Sequence, residues 1–361
     1  MVDGNCWIGK FDMARDGIHL NTRGAQNLGT FLGAPNEVEN YRSVSLVSTF
    51  SKILEKTVCI RLINFLEKHN IFTESQHGFR KGKSTNAALM NFLEGVYKAL
   101  DNKEICASLF LDLSKASNTG NHNILLQKLD TYGIRGIPQQ WFASYLKNTR
   151  QLVVIDHFDE TSNEIQQKQG DKKIIQSGVP QGSVLGLLLF LIYMNQIDTS
   201  INNDIGVKIT LFVDDTSILI TGKDMQDLTL NLDKTIKSIL PWFENNRLII
   251  NIHKSLALGF HHKLNKCIVF PDIISKDRQI TYATETKFLA IWLDHNLNWD
   301  LHTKKLVIKL SQHCYVIKTI NSFVNKNIVK IMYFAYMHSF LKYGTLFWGD
   351  ARNLQKVFKK D

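Results

Sequence analysis

The sequence lacks the cysteine pattern of a disulfide framework or of a zinc site. Its 361 residues include five cysteines, at positions 6, 59, 106, 267 and 314, which is an odd number without any CxxC spacing. Disulfide-rich domains and structural zinc sites use cysteines in pairs at short, regular intervals. The cysteine usage therefore indicates a reducing, intracellular setting.

Long apolar runs are also missing. The longest one, Val184–Met194, is well below the roughly 20 residues that a helix needs to cross a bilayer. The N-terminus has no charged segment followed by an apolar one, which is the pattern of a secretory signal. We therefore expect a protein with no membrane span and no membrane partner.

Basic residues outnumber acidic ones. The chain has 43 Lys and Arg against 33 Asp and Glu, a formal net charge of +10, and a pI near 9.2. Such an excess suits a partner with a phosphate backbone. Hydrophobic residues make up 44% of the chain, enough for a sizeable core divided among two or three subdomains.

Two adjacent acids, Asp214 and Asp215, lie where two short apolar segments meet. The segments 207–213 and 216–220 are rich in β-forming residues and predict a hairpin. A solvated hairpin tip is one explanation, because Asp is common in turns. At the end of a buried sheet, however, two carboxylates repel each other unless a cation lies between them. This favours a site for a hard divalent cation.

A third acid, Asp112, follows another apolar segment. Residues 105–113 predict a strand near the centre of a sheet. An isolated charge at the end of a buried strand is costly. That cost falls if Asp112 and Asp214 lie on neighbouring strands and share two divalent ions roughly 3.5–4 Å apart, as in phosphoryl transfer.

Hydrophobic periodicity predicts several further elements. Helices are expected over 45–68, 86–100, 124–132, 139–146 and 225–245, with a helical stretch over 300–347. Strands are expected over 151–155 paired with 173–176, over 246–253 before a lysine at 254, and as a hairpin over 287–294.

The most distinctive string, Ser-Gly-Val-Pro-Gln-Gly-Ser over 177–183, lies between the acids and precedes the apolar segment 184–194. Its glycines allow the backbone to approach a ligand, and the apolar segment predicts a buried helix. With Phe-Leu-Asp-Leu over 110–113 and Phe-Val-Asp-Asp over 212–215, the order of motifs resembles the reverse transcriptases of jockey-like non-LTR retrotransposons. The resemblance extends from about residue 40 to residue 350.

This resemblance implies an α+β right-hand polymerase. Its subdomains would be fingers over 40–104, a ferredoxin-like antiparallel palm over 105–294 with a fingers segment inserted at about 133–175, and a truncated helical thumb over 295–361. The implied activity is RNA-directed DNA polymerisation, with an RNA template, a DNA primer and dNTP. Two Mg²⁺ ions, or Mn²⁺, would be held by Asp112, Asp214 and Asp215.

The resemblance also implies residues that bind the nucleotide, the primer and the template. Arg80 matches the position that holds the triphosphate, and Lys81 lies beside it; cations on such a loop suit phosphate oxygens, although a solvated surface loop is the alternative. The other matched positions are Ser117, Gln181, Gly182 and Lys254. Lys254 is a candidate acid for the leaving pyrophosphate.

Some positions depart from the family pattern. Ser117 stands where an aromatic residue normally excludes the 2′-hydroxyl, Asn118 replaces an Asp, Leu187 replaces a Pro and Ala290 replaces a Gly. A partly degenerate element copy that retains only the fold and nucleic-acid binding is therefore the second hypothesis.

Residues 1–39 do not belong to the region that resembles the reverse transcriptases. Through Asp16 and His19 they resemble the closing block of SGNH-type hydrolases, but the sequence has no Gly-Asp-Ser nucleophile segment. A base without a nucleophile cannot carry out acyl transfer. We interpret this segment as an unrelated remnant and exclude an esterase.

Overall fold

The computed structural model describes residues 45, 47–113, 120–147, 149–159, 164–180, 182–201, 206–261, 270–275 and 278–351. Ser117, Gln181 and residues 1–39, to which the sequence analysis gave roles, lie outside the described residues. The chain divides into two units, Met1–Ser45 and Leu46–Asp361. All elements below belong to the second unit.

This unit contains both helices and strands. The α-helices are α1 (Thr49–Lys68), α2 (Thr85–Asp101), α3 (His122–Thr131), α4 (Ile137–Leu146), α5 (Val184–Met194), α6 (Met225–Asn245), α7 (Asp300–Ile320), α8 (Lys326–Met332), α9 (Ser339–Lys342) and α10 (Thr345–Trp348). The strands are β1 (Ile105–Leu111), β2 (Arg150–Gln151), β3 (Val154–Asp159), β4 (Glu164–Gln169), β5 (Lys173–Ile174), β6 (Val207–Phe212), β7 (Asp215–Gly222), β8 (Leu256–Phe260), β9 (Ile273–Ser275), β10 (Arg278–Ile280), β11 (Glu285–Phe288) and β12 (Ile291–Asp294).

A four-stranded sheet in the order β6-β7-β1-β8 forms the centre. All three neighbouring pairs are antiparallel. Helices α3 to α5 separate β1 from β6, and α6 separates β7 from β8, which gives the β-α-β-β-α-β order of the ferredoxin-like topology. The α+β fold class and the ferredoxin-like sheet predicted from the sequence are confirmed.

Alternation along β1 explains why the sheet is covered on both faces. Leu109 and Leu111 belong to one apolar core with α5 and α6. Cys106 belongs to a second core with α2, and Phe110 packs against that core. Successive strand residues point to opposite faces, so an almost continuous apolar strand is buried on both sides.

Helices α5 and α6 cover one face of the sheet for different reasons. Nine of the eleven residues of α5 are buried, as expected for a helix that is apolar all round. In α6, Leu228, Leu232, Ile239 and Phe243 form the buried stripe. Both helices agree with the sequence prediction.

Helix α1 agrees with the prediction in extent but not in its buried face. The predicted apolar stripe is buried only at Leu62 and Leu66, whereas Phe50 and Ile53 are 87% and 61% exposed. In the first half of the helix the buried side chain is Glu55 instead. The expectation for this half was wrong because the partner of α1 there is polar.

Two strand predictions need correction. The pairing predicted between 151–155 and 173–176 is a short one, β2 with β5, and the unpredicted β3–β4 hairpin lies between these strands. The strand predicted over 246–253 is also wrong, because β8 begins only at Leu256, after Lys254. The backbone of Asn251 instead closes a turn, accepting N–H bonds from Lys254 and Ser255.

The predicted hairpin over 287–294 is confirmed as β11 and β12. Its turn residues Leu289 and Ala290 have φ values of 44° and 65°. The helical region packs on this hairpin, since the Tyr343 hydroxyl donates to Leu289 O at 2.6 Å and the indole N–H of the buried Trp348 donates to Tyr343 O at 2.9 Å. Among the described residues, none of the helices has the length and apolar character needed to cross a membrane.

We predict that Ala290→Gly stabilises the protein. Ala290 lies in the left-handed region, which costs a residue with a Cβ about 1–2 kcal/mol, so glycine should raise the free energy of unfolding by about 0.5–1 kcal/mol after its own entropy cost. Ala143→Gly in α4 is the control and should lower it by about 1 kcal/mol. Denaturant unfolding of both variants measures the difference, and a loss at both positions would contradict the prediction.

Candidate active site

The register of the central sheet brings the three acids to one edge. Leu111 at the end of β1 pairs with Thr216 of β7, and Phe212 of β6 pairs with Asp215. Asp112 follows Leu111, so the same register sets it beside Asp215. The predicted hairpin with acids at its tip is therefore present, and Asp112 comes from the adjacent strand.

The turn between β6 and β7 has an unusual backbone. Its two residues are Val213 and Asp214, and Val213 has a φ of 61°. A β-branched residue rarely adopts this left-handed conformation, which costs of order 1–3 kcal/mol. Val213 is buried, while Asp214 and Asp215 are exposed. The turn therefore buries an apolar side chain and leaves both carboxylates accessible to a ligand.

The backbone of Asp112 is held by the segment before β8. Its N–H donates to Ser255 Oγ at 3.1 Å, and its carbonyl accepts from Asn251 N–H at 2.8 Å. Ser255 is buried and donates to Asn251 O at 2.8 Å. Lys254, exposed and next to Ser255, thus belongs to the segment that supports Asp112.

The pKa of Asp215 reflects its surroundings in this cluster of acids. Although the surface of Asp215 is exposed, neighbouring residues remove part of the water around its carboxyl group, and this loss of solvation, followed by the negative charges of Asp214 and Asp112, raises its pKa to about 6. The negative charges of Asp214 and Asp112 therefore oppose the ionisation of Asp215.

The donor chemistry of these acids fits Mg²⁺ or Mn²⁺. Carboxylate oxygens are the ligands that such hard cations take, and a cation would relieve the repulsion that raises the pKa of Asp215. The side chains as they stand are not gathered into a finished ligand shell, since no group of three or more metal-binding side chains occurs within the described ranges.

The Arg80 side chain makes its contacts within the protein itself. It is 7% exposed, and Nε and Nη2 donate to the Glu67 carboxylate at 3.0 and 3.1 Å. Nη1 donates to Thr73 O at 2.7 Å, and the guanidinium lies over the Phe72 ring. Lys81 is exposed. The two cations that the sequence placed together on this loop therefore have different environments.

The distinctive Gly/Pro turn leads directly into α5. Gly182 is exposed with a φ of 96°, and Ser183 caps the helix by accepting from Gly186 N–H. Glu55 of α1 reinforces this cap: its Oε2 accepts from Ser183 Oγ at 2.9 Å and from Val184 N–H at 2.8 Å. An anion at a helix N-terminus is also favoured by the helix dipole.

Tyr145 of α4 completes the network around Glu55. Its hydroxyl donates to Glu55 Oε1 at 2.9 Å and lies 3.0 Å from Ser183 Oγ. The sequence indicated no role for Glu55, because a carboxylate on an amphipathic helix is normally solvated.

A second contact fixes the start of the Gly/Pro turn. His122 Nε2 lies 2.7 Å from Gly178 O, and Gly178 N–H donates to Gly120 O at 2.6 Å. The segment that begins at Gly120 and the turn that precedes α5 are therefore joined by two hydrogen bonds. Sequence analysis also missed His122, which had no recognisable motif.

Comparison with known proteins gives a family. The sequence profile of the reverse transcriptase (RNA-dependent DNA polymerase) family matches residues 34–293. The chain therefore belongs to the reverse transcriptase family. The resemblance inferred from the ordered motifs is confirmed.

Transposon polymerases are among the similar sequences. The probable RNA-directed DNA polymerase from transposon X-element of Drosophila melanogaster is 27% identical over 87% of this chain and 34% of its own length. The RNA-directed DNA polymerase from mobile element jockey of the same species is 28% identical over 74% of this chain and 28% of its own. This chain thus spans about a third of the length of these relatives. A solved structure, apo telomerase from Candida tropicalis truncated from its C-terminal domain, is 12% identical with a TM-score of 0.42, over 68% of this chain and 44% of that one.

We predict that Glu55→Ala destabilises the protein by about 2–3 kcal/mol, because the buried Ser183 hydroxyl and the first N–H groups of α5 lose their acceptor. Tyr145→Phe removes one hydroxyl and should cost about 0.5–1.5 kcal/mol. Lys56→Ala, at an exposed position of the same helix, should change stability by less than about 0.5 kcal/mol. Denaturant unfolding compares the three, and an equal effect of Glu55→Ala and Lys56→Ala would contradict the network.

We also predict a pH-dependent gain in stability for Asp215→Asn in the absence of divalent metal. The pKa of Asp215 is raised from its ordinary 3.8 to about 6, so the folded state holds this proton more tightly than the unfolded chain. Wild-type stability then falls as pH rises between these values.

Asparagine carries no charge, so the stability of the variant does not fall in this way as pH rises. Asp215→Asn should therefore unfold at a higher temperature than the wild type at pH 7, and the difference should disappear by about pH 4. Asp101→Asn, at the exposed far end of α2, should show no such trend. A pH-independent difference for Asp215→Asn would contradict the raised pKa of Asp215.

Proposed function

We propose that this chain is the polymerase part of an RNA-directed DNA polymerase of a non-LTR retrotransposon. It transfers a nucleotidyl group from dNTP to the 3′-hydroxyl of a DNA primer on an RNA template. The observation that supports this most is the meeting of Asp112, Asp214 and Asp215 at one sheet edge, where loss of solvation and then the charges of Asp214 and Asp112 raise the pKa of Asp215. The relatives named as RNA-directed DNA polymerases support the same reaction.

In this proposal Asp112, Asp214 and Asp215 hold two divalent ions, Mg²⁺ or Mn²⁺. Bound there, the ions lower the pKa of the attacking hydroxyl and neutralise charge on the triphosphate. The carboxylates are accessible for that purpose. Ser255 and Asn251 hold the backbone of Asp112, and the hairpin holds the backbone of the other two acids, so these hydrogen bonds do not use the carboxylate oxygens.

Lys81 and Lys254 supply the positive charge around the triphosphate. Lys81 is exposed on the loop after α1, and Lys254 adjoins the residue that holds Asp112. In this proposal Lys254 protonates the departing pyrophosphate, as an acid must be within reach of the leaving group. Arg80 contributes directly only if its bond to Glu67 opens on nucleotide binding, and otherwise orients the loop.

The remaining assignments are part of the same proposal. By resemblance to the family, we assign Gln181 and Gly182 to positioning the template–primer pair and the nucleotide sugar, and Ser117 to the position facing that sugar. The fingers comprise residues 40–104 with a second segment at about 133–175, the palm comprises 105–294 and the helical thumb 295–361. The unpaired state of Cys59, Cys106 and Cys314 is compatible with a reducing compartment.

A decayed element copy is the second candidate. Ala290 supports it, because the residue occupies a left-handed position that glycine would fill without strain. Such a protein would bind nucleic acid through its basic surface but would not extend a primer.

Primer extension on poly(rA)/oligo(dT) with Mg²⁺ separates the two candidates. We expect extension by the wild type, and a loss of at least about 1,000-fold in Asp214→Asn, equivalent to about 4 kcal/mol of transition-state stabilisation. Asp215→Asn should lose less, about 100-fold, because in this proposal Asp215 mainly supports the cluster through its charge, while Asp112 and Asp214 contact both ions. Asp233→Asn, exposed on α6, should remain active.

The outcomes differ clearly between the candidates. Binding of poly(rA)/oligo(dT) without extension favours the decayed copy. Equal losses in Asp214→Asn and Asp215→Asn would contradict the unequal roles given to these two acids.

A further inference from the structure

The loop that follows α1 lies against the end of β6. His77 N–H donates to Leu211 O at 2.8 Å, and Leu211 N–H donates to Ser75 O at 2.9 Å, so that Gln76 and Leu211 form a parallel bridge. Strand β6 is the edge of the central sheet, and an edge strand has backbone groups free for such pairing. The loop therefore extends the sheet by one short bridge beside the turn that carries Asp214.

One side chain joins this loop to the turn itself. Gln76 is 2% exposed, and its Oε1 accepts from Val213 N–H at 3.0 Å and from Gly78 N–H at 2.8 Å. A buried amide oxygen with two donors is fully used. The N–H of the residue immediately before Asp214 thus depends on Gln76 for its acceptor.

Gly78 makes the contact sterically possible. A Cβ at this position would lie 2.7 Å from Val213 Cγ2 and 2.8 Å from Val213 N, closer than packed atoms approach. Only glycine allows the two backbones to meet here. We call the contact of Gln76 and Gly78 with Val213 the turn clasp.

The clasp explains how Val213 keeps its left-handed backbone. A β-branched residue at a φ of 61° persists only where the surrounding structure holds it. The hydrogen bond from Val213 N–H to Gln76 Oε1 and the packing of Val213 against Gly78 act on that residue directly. Release of either contact would let the turn relax and change the direction of Asp214.

We propose that Gln76 and Gly78 are positioning residues for the carboxylates, which they serve by fixing Val213 and hence Asp214. This inference rests on the proposed function, because it assigns both residues to the same metal-binding site. Both residues are buried, so we assign them an action through Val213 and not through contact with substrate. Their effect is on how well the acids take up a divalent ion, and groups that orient metal ligands in this way change metal affinity when removed.

Gln76→Met and Gln76→Glu separate hydrogen bonding from packing. Methionine has nearly the same volume but cannot accept both N–H groups, whereas the glutamate carboxylate can. We expect Gln76→Met to raise the Mn²⁺ concentration needed for half-saturation about tenfold or more. Gln76→Glu should bind at least as tightly as the wild type. Gly78→Ala, which separates the same backbones, should resemble Gln76→Met.

Asn195→Leu is the matched control. Asn195 is also a buried amide that holds this loop, accepting from Thr73 N–H at 2.9 Å and donating to Ile71 O at 2.8 Å. It holds the loop at its other end, through residues that are not part of the turn clasp. Asn195→Leu should therefore lower the melting temperature without changing Mn²⁺ affinity.

The proposal can be tested by two measurements that do not require catalytic turnover. Electron paramagnetic resonance of free Mn²⁺ gives the affinity of each variant, with Asp214→Asn defining the signal of this site. Hydrogen–deuterium exchange of the metal-free protein should be faster over residues 211–216 in Gln76→Met than in Asn195→Leu. A wild type that binds Mn²⁺ at this site but does not extend primers would refute the proposed activity and leave this inference standing.

Primer extension adds a kinetic signature if the wild type is active. Gln76→Met should lower kcat and raise the required Mg²⁺ concentration, while KM for poly(rA)/oligo(dT) stays within about twofold. The inference is overturned if Gln76→Met and Asn195→Leu weaken Mn²⁺ binding equally, if Gln76→Glu fails to restore it, or if no Mn²⁺ binding depends on Asp214.

Discussion

The antiparallel register between β1 and β7 is the constraint on which the rest of this structure depends. It pairs Leu111 with Thr216, and in doing so it fixes both the packing of the sheet and the meeting of Asp112 with Asp215. A shift by one residue would turn every side chain of a strand to the opposite face. Leu109 and Ile218 would then leave the core they share, so the burial of apolar side chains also determines where the charges lie.

Hydrogen bonds to the backbone hold the acids in place despite the repulsion between their side chains. Asp112 is held by Ser255 and Asn251, and the hairpin turn is held by the loop after α1. These hydrogen bonds do not use the carboxylate oxygens, which therefore stay available as metal ligands. Arg80, the cation closest in sequence to that loop's contact with the turn, neutralises Glu67 instead, so the acids retain the mutual repulsion seen in the pKa of Asp215.

Local patterns in the sequence were sufficient for most elements and for the acids. The apolar run of α5, the periodicity of α6 and the strands on either side of Asp214 were predicted because their signals lie within a few residues. Glu55 could not be found in this way, since its partner Ser183 is 128 residues away and an isolated carboxylate on a helix is normally solvated. The same holds for Gln76, which meets Val213 across 137 residues, and for the buried environment of Arg80. The strand predicted before Lys254 was wrong because an apolar run does not reveal that Asn251 closes a turn.

The turn clasp has a consequence for how this region can vary during evolution. Its hydrogen bonds join one side-chain acceptor, Gln76 Oε1, to the backbone N–H groups of Val213 and Gly78, and Val213 packs against Gly78. Exposed positions of the loop, such as Phe79, can therefore change identity with little effect on the contact. Insertions or deletions between Ser75 and Gly78 would move its donors and acceptors out of alignment, so the length of this segment should be kept even where its residues diverge.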